Sequence, residues 1–439
     1  MNITIESSKL VKPTYNNGNN APSTNHHVRL SVFDKVTYNI HDGAAIHAFN
    51  PPTRSNSDIE KGLSKVLLEY REWAGRLGED EEGNSIIFLN DQGVRFVEAT
   101  SDSKLRNVLP SKPTKEIQSL YPSLDGVQEL LQVQLTRFAC GSLVVAITFH
   151  HQIADGQATG NFLAAWGLAT RDLPIDSTPL CTRSTLFQPR DPPLIQYDHH
   201  KIEYMNKMYP KHTINSDHES NEEEIVIQKV HFTNEFINKL RAKASTGVPK
   251  HFTRFEVILA HLWRVITKAR GLHNHETTQI RISVNGRKRM DPQVPNEYFG
   301  NLVLWAFPRS KVKDLINRPL RYAAELIHDE VAKVNDMYFK SFIDFASSDI
   351  IKKEGLVSTA VMNKKILSPD LEVDSWLTFR YFDMDFGSGS PYYFMPTYYA
   401  TEGMLFILPS YLGDGSIDAF VPLLNDNLDT FNMCCYSLD

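Results

Sequence analysis

His150 and His151, followed by Asp155 four residues after the second histidine and then by Gly156, are the residues best placed to do chemistry. Imidazole changes protonation near neutral pH, so it can take a proton from an alcohol or an ammonium group and later return it. Three uses are open to Asp155: holding the turn, orienting the imidazole through its other ring nitrogen, or pairing with an arginine distant in sequence. A second set lies far downstream in Leu371, Glu372, Val373, Asp374, Ser375, Trp376 and Leu377. Read as a strand, this stretch puts Glu372, Asp374 and Trp376 on one face. Two carboxylates beside an indole suit a cation, by charge and by the ring face together. The alternative is a solvated outer face.

These groups need rigid mounts. Leu143, Val144, Val145, Ala146, Ile147 and Phe149 form an apolar run with little alternation, which predicts a strand buried on both faces. Side chains alternate along a strand, so only one of His150 and His151 faces a given cavity. From Gln157 to Thr170 the spacing of Phe162, Leu163, Trp166 and Leu168 predicts a helix beginning beside His151, whose first N–H groups could hold a developing oxyanion. Ala44 to Phe49 reads as another buried strand, with His47 either a pocket wall or a core histidine. Other predicted elements before residue 183 are a strand within Leu30 to Tyr38, a helix from Ser57 to Arg76 capped by Ser57, and a hairpin of residues 85–89 and 94–99. Past residue 224 come a strand from Ile225 to Phe232, a helix capped by Thr253 with Glu256 completing a capping box, and a strand from Gln279 to Val284. Arg287, Lys288 and Arg289 then follow, able to hold phosphate or hold the fold, and two helices span roughly 319–335 and 338–346.

At 439 residues the chain has room for two or three domains. Residues 183–224 carry Pro189, Pro192, Pro193 and an acidic run ending Glu222, Glu223, Glu224, which marks a crossover between units 1–182 and 225–439. A net charge of −6 argues against nucleic acid as a partner. No apolar run reaches the length of a membrane span, and the first residues lack the apolar core of a signal peptide, so the expected location is the cytoplasm. Four cysteines, Cys140, Cys181, Cys434 and Cys435, are too few and too irregular for a disulfide framework or a zinc site, and no metal is expected.

The motif HHQIADG at a strand end, with Tyr381 to Gly389 (YFDMDFGSG) about 230 residues later, resembles the paired HxxxD and DFGWG signature of the plant BAHD acyl-CoA-dependent acyltransferases. Ser388 stands where that family usually has tryptophan, which bears on local packing near the cofactor channel. The resemblance implies an α/β fold of two similar lobes, each a mixed sheet with flanking helices, with the active site between them. It makes His151 the catalytic base and Asp155 a structural residue turned toward an arginine, for which Arg287 is the candidate. Asp385, Gly387 and Gly389 are implied to be structural. Thr253 and Arg254 lie where the family meets coenzyme A, and His47 lies near its pocket. Asp374 takes the place of a residue that contacts the acceptor in related hydroxycinnamoyl transferases. An acid there disfavours an anionic acceptor such as shikimate and favours an amine. Several other stretches resemble the subgroup that includes agmatine coumaroyltransferases. The expected reaction is transfer of a hydroxycinnamoyl group such as p-coumaroyl from acyl-CoA, a co-substrate and not a resident cofactor, to a small amine by a monomer. O-acylation of an alcohol, and a relative without turnover, are the alternatives.

Overall fold

The strand Leu143–Phe149 is buried along its whole length because sheet neighbours flank it and side chains cover both faces. The computed structural model describes all residues except 16–22, 25, 42, 110–112, 177, 207–224, 248–250, 362–364 and 439. The acidic run of the expected crossover therefore lies outside the described residues. The first sheet runs in the order Thr4–Val11, Val94–Ser101, Leu131–Phe138, Leu143–Phe149, Gly43–Phe49 and Tyr393–Pro396. The second runs Ile225–Phe232, Ile417–Leu424, Met404–Pro409, Leu371–Ser375, Thr277–Asn285 and Val303–Ala306, with Arg309–Lys311 also pairing on Thr277–Asn285. Both are mixed. Val94–Ser101 and Leu131–Phe138 are parallel in the first, and Leu371–Ser375 is parallel to both its neighbours in the second.

Helices cover each sheet through their apolar faces. Gly156–Thr170 and Asn56–Val66 pack together over the first, and Arg254–Ala269 and Leu320–Lys333 do so over the second. The two cores exchange material. Tyr381, Met384, Phe386, Phe394 and Met395 belong to the core of the first sheet, while Phe33 and Val36 pack into that of the second. A division at 182 and 225 thus follows the chain and not the packing: the DFGSG segment, expected in the second lobe, sits against the first.

Three local expectations fail for identifiable reasons. Leu30 to Tyr38 holds a helix, Val32–Val36, where a strand is expected. Ser31 caps it and Asp34 completes a capping box, a local signal stronger than the β-favouring composition. The helix expected from Ser57 to Arg76 stops at Val66 and is capped by Ser55. Beyond it a 3-10 turn, Arg71–Ala74, and a strand, Arg76–Glu79, bury Trp73 by another route. Ser85–Phe88 and Val94–Ser101 do not form a hairpin, because Ser85–Phe88 pairs with Arg76–Glu79 in a small separate sheet. The turn between them is instead held by Asp91, which takes Nε and Nη2 of Arg71 at 2.8 and 2.9 Å.

Candidate active site

Strand alternation separates the two histidines. His150 packs away from the cavity, 6.4 Å from the His41 ring, and burial pushes its imidazole down to about 4. His151 lines a cavity of about 450 Å³ between the two sheets. Its Nδ1 lies 3.4 Å from Thr37 Oγ1. In the tautomer with its proton on Nδ1, a hydroxyl there accepts from Nδ1–H and leaves Nε2 with the lone pair a base needs. The His151 N–H donates to the Ile40 carbonyl at 3.1 Å, and its own carbonyl accepts from Asn301 Nδ2 at 3.0 Å. Asn301 is fixed in turn by Asp34, which also takes Arg183 Nη1 at 3.0 Å, and Arg183 Nη2 donates to the Ile153 carbonyl at 2.6 Å. The turn after the strand is thus gripped at two carbonyls by fully buried polar groups.

Asp155 makes none of its hydrogen bonds to His151. Its carboxylate caps Gly156–Thr170 by accepting from Ala158 N–H at 2.9 Å, and takes Arg287 Nη1 and Nη2 at 2.7 and 3.1 Å and Leu302 N–H at 3.0 Å. Arg287 is fully buried and joins the two halves at this point. Gly156 is needed next to it because a Cβ there would lie 2.1 Å from the Phe379 ring. The Ala158 and Thr159 N–H groups are taken by Asp155, so among the first residues of that helix only Gly156 and Gln157, both in the cavity wall, retain N–H groups for an oxyanion.

Glu372, Asp374 and Trp376 all line the cavity, so their shared face is not an outer one. The two carboxylates differ. Glu372 accepts from the Tyr38 hydroxyl at 2.7 Å and has Arg281 Nη1 at 3.6 Å. Asp374 accepts from Ser283 Oγ at 2.9 Å and has no cationic partner within ion-pair distance among the described residues. Enclosure away from bulk water, and then the Glu372 charge, push the Asp374 carboxyl up to about 6. Trp376 packs on Tyr381, Phe394 and Phe406 at 5.2, 5.5 and 5.3 Å between centroids.

His47 does not reach this cavity. It is fully buried against Phe394 and Tyr381, and burial pushes its imidazole down to about 3. It is a neutral core histidine. Thr253 and Arg254 also stand outside the lining, although the next residue, Phe255, is part of it. Thr253 Oγ1 and N–H both engage Glu256 Oε2, at 2.8 and 2.6 Å, in the capping box. A cap of this kind stabilises a helix by about 1 kcal/mol. Thr253→Ala is accordingly expected to lower unfolding free energy by roughly that amount while leaving KM for the donor within about twofold. Denaturant melts and initial rates check both, and an intact stability with a tenfold higher KM would reverse the assignment.

Asp385 folds its own motif. Its Oδ1 accepts from Gly387 and Gly389 N–H at 2.7 and 2.8 Å, and Oδ2 pairs with Arg171 at 2.9 Å. Both glycines have left-handed φ, +103° and +90°. Phe386 inserts against Trp166 and Phe49, and Ser388 is exposed, so the serine leaves no gap in that packing. None of these five motif residues lines the cavity. Among the described residues no group of three or more His, Cys, Asp or Glu is placed to hold a metal ion, and no helix is long and apolar enough to cross a membrane. Sequence reasoning missed Thr37, Tyr38, Arg281 and Asn301. Arg281 and Ser283 carry a findable signal, since they alternate on the strand that pairs with Leu371–Ser375.

A family model described as the transferase family matches residues 1–437. The chain belongs to this family, the BAHD acyltransferases. It is therefore an acyltransferase with this two-lobed fold. Putrescine hydroxycinnamoyltransferase 3 of Oryza sativa subsp. japonica is 53% identical over the full length of both chains. Agmatine coumaroyltransferase-1 of Hordeum vulgare is 50% identical, again over the full length of both. The crystal structure of F. sporotrichioides TRI101 complexed with coenzyme A and T-2 superposes with a TM-score of 0.73 at 16% identity, covering 92% of this chain and 96% of that one, a likeness of fold. As a BAHD acyltransferase the chain has its cavity where its two sheets meet, with His151 on one wall and Asp374 on another.

Proposed function

We propose that this acyltransferase moves a hydroxycinnamoyl group from its coenzyme A thioester to a small amine carrying a second, distal cation. The observation that carries the reading is a partly buried carboxylate, Asp374, without a cationic partner within ion-pair distance among the described residues and in the same cavity as His151. A carboxylate so placed repels shikimate-like anions and attracts ammonium or guanidinium. The names of the two relatives, putrescine and agmatine transferases, support the same acceptor class.

The steps follow from the groups present. Asp374 holds the distal cation and Trp376 covers it, leaving the reacting amine beside His151. The reacting amine enters as its neutral form, and Nε2 takes a proton from that nitrogen as it attacks the thioester carbonyl carbon and forms the C–N bond. The C–S bond then breaks, and His151 returns the proton to the departing thiolate. Direct transfer needs no enzyme-bound acyl group, hence no serine or cysteine nucleophile. Arg289, half-buried in the cavity lining, is a cation available for the donor's phosphates.

Purified protein given p-coumaroyl-CoA and a panel of agmatine, putrescine, spermidine, tyramine, tryptamine and shikimate tests the proposal by mass-spectrometric product detection, with His151→Ala in parallel. An amide of a cation-tailed amine is expected. An ester, or an amide formed only with neutral-tailed amines, would sink the assignment of Asp374.

A further inference from the structure

Arg281 is not among the residues that line the cavity, but it sits against the acceptor wall through Glu372 and Trp305, as a cation the chain supplies to itself. Register pairs it with Glu372 across the parallel strands Thr277–Asn285 and Leu371–Ser375. Two residues on, Ser283 donates to Asp374 across the same two strands. The wall is therefore a ladder of two rungs, one a cation with a carboxylate, the other a hydroxyl with a carboxylate. The Arg281 guanidinium lies 4.0 Å over the Trp305 ring and 5.9 Å from that of Tyr38, whose hydroxyl donates to Glu372 at 2.7 Å. Trp305, Tyr38 and Glu372 all line the cavity. An aromatic face, a carboxylate and a guanidinium between them form a cation site already filled from within.

We propose that Arg281 is a specificity-determining residue: it occupies the cation place at Glu372, leaving Asp374 as the single carboxylate for an acceptor's cation, and so sets the preference for amines with one distal charge over longer polyamines with two. This deepens the acceptor reading given above and rests on it. The manner in which Arg281 is held favours the role. Its contact with Glu372, 3.6 Å, is an ion pair without a hydrogen bond, and Nε and Nη2 have no partner among the described residues. A guanidinium kept by charge and stacking can be removed without breaking a hydrogen-bond network.

The test compares kcat/KM for spermidine and agmatine, with p-coumaroyl-CoA as donor, in the parent, Arg281→Met and Arg281→Met/Glu372→Gln. Methionine fills the space over Trp305 and leaves Glu372 for a second cation. The spermidine to agmatine ratio is expected to rise about tenfold in Arg281→Met, a gain lost again when Glu372 is also neutralised. A ratio unmoved in a folded Arg281→Met chain, or a gain that survives Glu372→Gln, overturns the proposal. Should Arg281→Met fail to fold, Arg281→Lys decides, since an ammonium without the planar fork stacks poorly on Trp305. A ratio about threefold higher is then expected, and an unchanged one is decisive against. Asp374→Asn measured alongside separates the two readings. If it spares cation-tailed amines the acceptor assignment itself falls. If it impairs them while the Arg281 variants leave the ratio alone, only the role of Arg281 falls.

Discussion

Replacing His151 with alanine is expected to lower kcat by about 10³-fold, the middle of the range for losing a positioned general base. The size follows from what the cavity offers in its place. Asp155 cannot substitute, because its carboxylate already accepts from Arg287, Ala158 and Leu302. His150 cannot, because it sits on the opposite face of the sheet and is held neutral by burial. The variant should keep its fold, since none of the hydrogen bonds of the surrounding turn is made by the imidazole except the long contact to Thr37. Single-turnover amide formation, with a thermal melt as control, checks the prediction. A loss of under tenfold in a folded variant would mean that the amine is deprotonated elsewhere.

Much of this site is legible in the sequence where one residue type has one physical use. An apolar run ending in paired histidines suits a buried strand with one imidazole to each face, and Thr253 three residues before Glu256 carries the signature of a capping box. The alternation of Glu372, Asp374 and Trp376 puts the acceptor wall on one face before any partner is known. What composition hides is which strands become neighbours. Tyr393–Pro396 joins the first sheet from the far end of the chain, carrying Phe394 onto His47 and closing off the pocket role that the sequence leaves open for that histidine. Val32–Val36 looks like a strand until Ser31 and Asp34 are read as a pair, and only tertiary contacts show Asp34 meeting Arg183 and Asn301. The inequality of Glu372 and Asp374 is likewise invisible, because it depends on Arg281 and Tyr38, distant in sequence, converging on only one of them.

That inequality gives the second large effect. Asp374→Asn should lower kcat/KM for agmatine or putrescine by about 100-fold, close to 2.7 kcal/mol, as expected for removing the charged partner of an enclosed ion pair. A neutral-tailed amine such as tyramine should change by no more than a few fold, since asparagine still accepts from Ser283 and keeps the wall intact. The pH dependence has a definite sign. With its carboxyl pushed up to about 6, Asp374 is ionised and able to hold a cation above that pH and is protonated below it. The agmatine to tyramine ratio of kcat/KM should therefore fall as pH drops from 7.5 to 5, with its midpoint near 6, and should be flat in the variant; both reacting amines stay protonated over this range, so their own titration cancels. Stability moves the other way. A carboxyl that binds its proton more tightly in the folded than in the unfolded chain lends stability at acid pH, which is lost as pH rises from about 4 through about 6. At pH 7.5 the parent carries the cost of an ionised, poorly solvated group, reduced by water in the cavity, and Asp374→Asn should be more stable by about 1 kcal/mol. Denaturant melts at pH 5 and 7.5 read this directly: a variant less stable at the higher pH, or a pH-independent acceptor ratio in the parent, would show that the cation of the substrate is met by some other group.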